Sequence, residues 1–256
     1  MDQLRRPSVA PVGCLLVLLT TSACQESDTV TTTRNLLRPG PMAMACVGRA
    51  GDAGVQTGLP MDRCPAPEDQ NVKCDAGVCG ALFGMVANTA RGDVAFFRTN
   101  ISGEPLVDLD RSAPGFGFVP VGKLPSDLTA TSDGCRAVSV NAGSCDISLI
   151  DVPGVIRLAS GQLERPGGGL VSTVVPHTAA GPLGARPESV VIVPGSVPDK
   201  ADEQLCKLQT AYRAYVTFPT CGLVAEIDLR DGKILRGMKI TKDGFVADDT
   251  PTCPLE

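Results

Sequence analysis

The chain has no tryptophan, a single histidine (His177) and only 4% aromatic residues among its 256 positions. One imidazole cannot build a clustered histidine metal site, and any serine hydrolase relay would have to rest on that one ring. Lys and Arg number 23 against 28 Asp and Glu, a net charge of −5, so the basic footprint that a nucleic-acid backbone requires is missing. Nucleic acid is therefore not an expected partner. No cysteine pair has the C-x-x-C spacing of a metal knuckle, and no Gly-x-Ser-x-Gly elbow or phosphate-loop lysine occurs. No catalytic residue, metal or cofactor is expected. What the chain does have is 43% hydrophobic residues, 28 Gly and 21 Pro, the composition of a turn-rich β protein with a real core.

The first residues read as an export signal. Arg5 and Arg6 supply a positive start, and Val12 to Leu19 form an apolar run too short to span a bilayer. The segment ends Thr21-Ser22-Ala23-Cys24, which resembles the lipobox of bacterial lipoproteins, with Thr21 where leucine is usual. That resemblance implies lipidation at Cys24 and a location at the outer membrane, in the periplasm or on the cell surface. Ordinary cleavage after Ala23 is the alternative. The expected organisation is a signal peptide over 1–23, a flexible tether over 24–41, a Cys-rich segment over 42–82, β repeats over 83–245 and an irregular end over 246–256.

Eleven cysteines less Cys14 and Cys24 leave nine. In an exported chain they are expected to be mostly disulfides. Cys135 with Cys145 and Cys206 with Cys221 flank comparable stretches and are expected to pair. Cys46, Cys64, Cys74 and Cys79 can close on one another in three ways, which leaves Cys253 unpaired.

Self-comparison finds three related segments. Met85 to Phe97, Ser139 to Ile150 and Ala214 to Asp228 each read as strand, turn and strand, with Asn88, Asn141 and Phe218 in register at offsets of 53 and 77 residues. The turns Ala90 to Gly92, Ala142 to Ser144 and Pro219 to Gly222 are small or glycine-bearing. The apolar residues that follow alternate, which argues for half-buried strands. A second unit precedes the later two: Leu124 to Gly134 aligns with Arg186 to Gly195, and an insertion carrying Cys206 lengthens the last copy.

This plan resembles the YVTN-type β-propeller repeat. Tyr215-Val216-Thr217-Phe218 follows its name-giving motif up to the last position, and Ser148 to Asp151 and Ala225 to Asp228 match its second strand. The resemblance covers roughly 83–240. It implies an all-β fold of four-stranded blades, which in such proteins close into a ring, commonly of about seven. Only about three blades fit here, so the reading expects a disulfide-stapled partial propeller, a fragment or one completed elsewhere, with a compact sandwich as the alternative. Loops at one face are expected to bind a protein or small-molecule ligand, or the scaffold to serve a structural role, at the bacterial cell envelope, with the membrane engaged through the lipid. The competing function is a hydrolase similar to the lactonase-like propellers, with its site in the central channel.

Other suggestive residues have plainer readings. His177 reads as a loop histidine, and Arg91-Gly92-Asp93 as a hairpin turn. Asp108, Asp110, Asp248 and Asp249 read as a solvated surface rather than a Ca²⁺ loop, Asp231-Gly232 as a turn, and Gly167 to Gly169 as a linker.

Overall fold

A computed structural model describes residues 36–50, 55–64, 80–99, 106–110, 112, 115–161, 169–193, 206, 213–248 and 250–253. The signal segment with Cys14 and Cys24, and also Cys74, Cys79, Asp249 and most of the Gly167 linker, lie outside the described residues. The chain is all-β and its paired strands are antiparallel. The first sheet holds β1 (Pro39–Ala50), β2 (Val55–Leu59), β3 (Gly80–Asn88), β4 (Asp93–Arg98) and β5 (Leu106–Val107) in the order β2-β1-β3-β4-β5, with β6 (Val119–Pro120) also on β4. The second is a meander of β7 (Pro125–Ala130), β8 (Arg136–Asn141), β9 (Asp146–Asp151) and β10 (Val171–Val174). After the small ladder of β11 (His177–Thr178) and β12 (Gly181–Pro182), the third sheet runs β13 (Val190–Val193), β14 (Arg213–Phe218), β15 (Leu223–Asp228), β16 (Ile234–Thr241) and β17 (Gly244–Asp248) in sequence order.

All three repeat hairpins form where the sequence places them. Asn88 pairs with Asp93, Asn141 with Asp146 and Phe218 with Leu223 across the turns. In each turn the residue just before the second strand is left-handed: Gly92 at φ 72°, Cys145 at φ 56° and Gly222 at φ 57°. Glycine adopts this conformation freely, whereas Cys145 pays roughly 1–2 kcal/mol for it.

The sheets stack in chain order, and the second lies between the other two. Leu128, Ala137 and Ile150 of the second sheet join Phe83, Met85 and Phe96 of the first in one core. From its other face Val138, Val140 and Ile147 join Val216, Phe218 and Ile227 of the third. The strands β8 and β9 are therefore buried on both faces, as the polar Ser139 and Ser148 at 0% exposure show. The half-buried strands expected from the alternating pattern are corrected here for this middle sheet.

A helix unforeseen in the sequence, α1 (Val152–Ala159), follows β9, with Pro153 at its first turn. Val152, Val155 and Ile156 bury against the first core. Arg157 donates from Nη1 to the Gln56 carbonyl at 2.8 Å and its Nη2 lies 3.7 Å from Asp151, which also pairs with Arg136 at 2.8 Å, so α1, β2, β8 and the end of β9 are clamped together. The tether expected over 24–41 gives way to a strand at Pro39. The Cys-rich segment supplies β1, β2 and the start of β3, and β17 enters the stretch read as an irregular end.

The disulfides correct the expected pairing. Cys135 bonds to Cys206 and Cys221 to Cys253, so Cys253 is not left over; Cys46 bonds to Cys64. Cys145 is also disulfide-bonded. A bond between Cys135 and Cys145 fails on distance. Cys135 precedes the first residue of β8 and Cys145 lies beyond its far end, so a six-residue strand separates them by roughly 20 Å, whereas a disulfide needs Cα atoms within about 7 Å. Cys206 instead meets Cys135 where β2 crosses the β7–β8 turn, and its Sγ accepts the Gly58 N–H at 3.1 Å. Cys221 in the β14–β15 turn meets the chain returning from β17. A disulfide set of this kind persists in oxidising, non-cytoplasmic compartments. No described helix is long and apolar enough to cross a membrane.

Candidate functional site

The densest group of buried polar side chains lies beneath the β8–β9 turn. Asn141 donates from Nδ2 to Asp146 Oδ1 at 2.6 Å and to Ser148 Oγ at 3.0 Å, while Ser139 Oγ donates to Asn141 Oδ1 at 2.9 Å. The strap Val121 to Leu124 runs directly over them. Ser148 Oγ accepts the Gly122 N–H at 3.3 Å and Ser144 Oγ the Lys123 N–H at 2.9 Å. A Cβ on Gly122 would strike Asp146, Ser144 and Asn141, so only glycine allows the strap to lie this close. The strap also ties two turns together. Val121 donates its N–H to the Gly92 carbonyl at 2.8 Å, and Gly143 and Ala142 donate theirs to the carbonyls of Lys123 and Leu124 at 2.9 and 3.0 Å.

The first hairpin repeats the pair as Asn88 and Asp93. Asn88 Oδ1 accepts the Leu37 N–H at 2.9 Å. Burial pushes the carboxyls of both Asp93 and Asp146 above their ordinary value, opposed by the hydrogen bonds from Asn88 and Asn141. The third hairpin carries apolar Phe218 and Leu223 at the same stations. Around Asn141 the donors and acceptors answer one another, which makes the group a brace for turn and strap.

A folded-state value raised above the unfolded one means that the protonated carboxyl is the form the fold favours. That contribution is complete below the unfolded pKa and is lost as pH rises through the folded one, so at neutral pH the Asp146 charge weakens the fold. Asp146→Asn keeps the oxygen that accepts from Asn141 and removes the charge. Melting temperatures of both proteins across about pH 4 to 8 are expected to show a shallower decline with rising pH in the variant. Parallel curves would refute this role for the carboxylate.

What the brace presents is Leu124, 53% exposed and held at φ 50°. A bulky side chain in the left-handed region is uncommon, and the strain is retained only because the surrounding bonds fix the strap. Lys123 and Leu124, beside the turns of two sheets, form the most deliberately built surface feature among the described residues.

The residues singled out from sequence fall elsewhere. Arg91, Gly92 and Asp93 form the β3–β4 turn and the start of β4. His177 sits in β11, its Nδ1 3.2 Å from the Val175 carbonyl, and its N–H donates to the Gly232 carbonyl at 3.0 Å. Asp231-Gly232 is the turn between β15 and β16. Asp108 Oδ1 accepts the N–H groups of Asp110 and Gly117 at 3.0 and 2.6 Å, Asp110 Oδ1 accepts that of Ser112 at 3.1 Å, and Asp248 Oδ1 accepts that of Thr250 at 3.2 Å. These carboxylates thus organise their own loops. Among the described residues no three His, Cys, Asp or Glu side chains converge as a metal site.

Sequence reasoning missed an acidic pair on the outer face of the third sheet. Glu226, 6% exposed, lies 3.1 Å from Arg213 Nη1 and 3.8 Å from Arg236 Nε. Asp228 is bound by Arg230, whose hydrogen bonds hold that carboxyl below its ordinary value. Two acids at alternate positions of one strand were the available signal, because period-two spacing puts both on one face.

No protein family matches the chain, and no curated protein matches it significantly. Among solved structures it is similar to a hydrazine synthase from Kuenenia stuttgartiensis, at 16% identity and a TM-score of 0.36, over 87% of this chain and 45% of that one. It is also similar to a glutaminyl cyclase from Myxococcus xanthus, at 12% identity and a TM-score of 0.28, over 60% of this chain and 46% of that one. The chain thus spans less than half the length of either structure.

Proposed function

We propose that the chain is an exported lipoprotein, anchored through Cys24, whose three stacked sheets are blades of a propeller-type scaffold serving binding at the cell envelope. The observation that carries the binding role is the braced strap. Hydrogen bonds to two hairpin turns hold Leu124 in a fixed, exposed and strained pose beside the half-buried Lys123, which is how a scaffold pre-organises a contact and reduces the ordering cost of association. The exposed apolar tip of Leu124 suits an extended protein segment or a small ligand that offers an apolar surface. The disulfides support the export half of the reading and the Thr21-to-Cys24 motif the anchor. The YVTN-like repeats and the face-to-face stacking of antiparallel sheets, two of them meanders, support the blade assignment.

Two experiments test this reading. Palmitate labelling and membrane fractionation are expected to be lost together in Cys24→Ala, and unchanged fractionation of that variant would overturn the anchor. Leu124→Gly relieves the backbone strain while removing the side chain, so the protein is expected to be no less stable, yet to lose capture of the envelope component that the parent retains. Capture at parental strength by Leu124→Gly and by Lys123→Ala would overturn the strap as the binding surface, and turnover of lactones by the purified chain would replace binding with hydrolysis.

A further inference from the structure

The third sheet has a strand more than the second. Its first four strands, β13 to β16, repeat the meander of β7 to β10, and β17 is added at the edge remote from β13. This fifth strand buries little in its own chain. Phe245 and Val246 are 69% and 53% exposed, and Ile240, directly opposite Phe245 on β16, is 53% exposed. Because Phe245 and Val246 point to opposite faces, the ribbon is apolar on both sides. The outer edge of β17 pairs with no described strand, and Gly244-Phe245-Val246-Ala247 carries no proline and no charge, the devices that ordinarily blunt an exposed edge.

We propose that β17 is a dimerisation edge that pairs antiparallel with β17 of a second copy of this chain, joining two third sheets into one continuous sheet. Charge sets the direction of pairing. The ribbon has Lys242 at its tip, shared with Asp243, and Asp248 at its root. Antiparallel pairing about a twofold axis sets the Lys242 tip of each copy against the Asp248 root of the other. Parallel pairing would place Asp248 against Asp248 and Lys242 against Lys242, which is destabilising. With Lys242 set against Asp248, the same twofold places Phe245 on its own copy and Val246 opposite Gly244, a self-complementary contact that closes at two chains.

The test uses the mature exported chain with Cys24→Ala, so that no lipid drives association. Light scattering across a concentration series is expected to show the mass doubling. Phe245→Lys and Val246→Lys are each expected to return the monomer at the same concentrations and to melt like the parent diluted to its monomer, since both side chains are exposed in the monomer. Hydrogen exchange distinguishes an edge from a face: β17 amides are expected to be protected in the dimer and to lose that protection on dilution. A monomer at every concentration would overturn the proposal, as would a dimer that survives both substitutions or one whose β17 amides exchange freely.

Discussion

Gly134→Ala is expected to be among the most damaging single-methyl changes in this protein. The β7–β8 turn passes β2 so closely that a Cβ on Gly134 would collide with the Cys46 carbonyl and lie 2.7 Å from that of Leu59. From the other side, a Cβ on Gly58 would lie 2.5 Å from the Gly134 carbonyl carbon. Both partners are backbone held in sheets, so neither gives way as a flexible side chain would. Gly134 is also left-handed, at φ 67°. Overpacking of this kind costs typically about 1–3 kcal/mol and here falls at the upper end, to which the backbone conformation adds roughly 1 kcal/mol. Gly161 separates the two contributions, because it is left-handed at φ 72° with nothing within 4 Å of its would-be Cβ. Denaturant unfolding is expected to show Gly161→Ala losing only about 1 kcal/mol and Gly134→Ala several times as much. Equal losses would mean that the sheets do not abut at this point.

The second large effect is expected from the disulfide at the same junction. Replacing Cys135 and Cys206 together by alanine opens a bond of sequence separation 71, the longest of the three described, against 18 for Cys46–Cys64. Loss of a native disulfide costs about 2–5 kcal/mol. The longer loop adds about 1 kcal/mol relative to the shorter one in the chain-entropy account. The Cys206 sulfur also accepts from the Gly58 N–H and the Thr57 hydroxyl, so its removal leaves those donors without it. Urea unfolding of the Cys135→Ala/Cys206→Ala and Cys46→Ala/Cys64→Ala proteins is expected to rank the former as less stable. The reverse order would show that loop closure does not govern these bonds.

Both effects lie at a contact that the sequence does not announce. The three repeat hairpins were legible because their signals are local: the small or glycine-bearing stretches Ala90 to Gly92, Ala142 to Ser144 and Pro219 to Gly222 each fix a turn within four residues, and alternation marks the strands beside them. The junction of β2 with Gly134 brings together positions 76 residues apart, numbered 58 and 134. Nothing in either stretch names the other. The same reason hid the pairing of Cys135 with Cys206, since the nearer Cys145 has the shorter loop yet sits beyond the far end of β8. β1 escaped notice because Met42, Ala43, Met44 and Ala45 are apolar on both faces and show no alternation, although β1 lies between β2 and β3 in the first sheet. At the candidate site, Asn88, Asn141, Asp93 and Asp146 stood in the aligned repeats, but their bracing role depends on the Gly122 strap, which contributes mainly backbone and so leaves almost no side-chain signature.

The order of the cysteines along the chain bears on how the protein matures. A chain that crosses a membrane from its N-terminus presents Cys135 and then Cys145 to the oxidising machinery well before Cys206 appears, 71 residues after Cys135. Oxidation in order of arrival joins neighbours, and the native bond skips one. For the exported chain proposed above, maturation then calls for thiol exchange after translocation, through attack of a free thiolate on a misplaced bond. Yield in a host is then governed by disulfide isomerase activity more than by oxidising power, and a strongly oxidising compartment without an isomerase traps the chain with its second sheet wrongly laced.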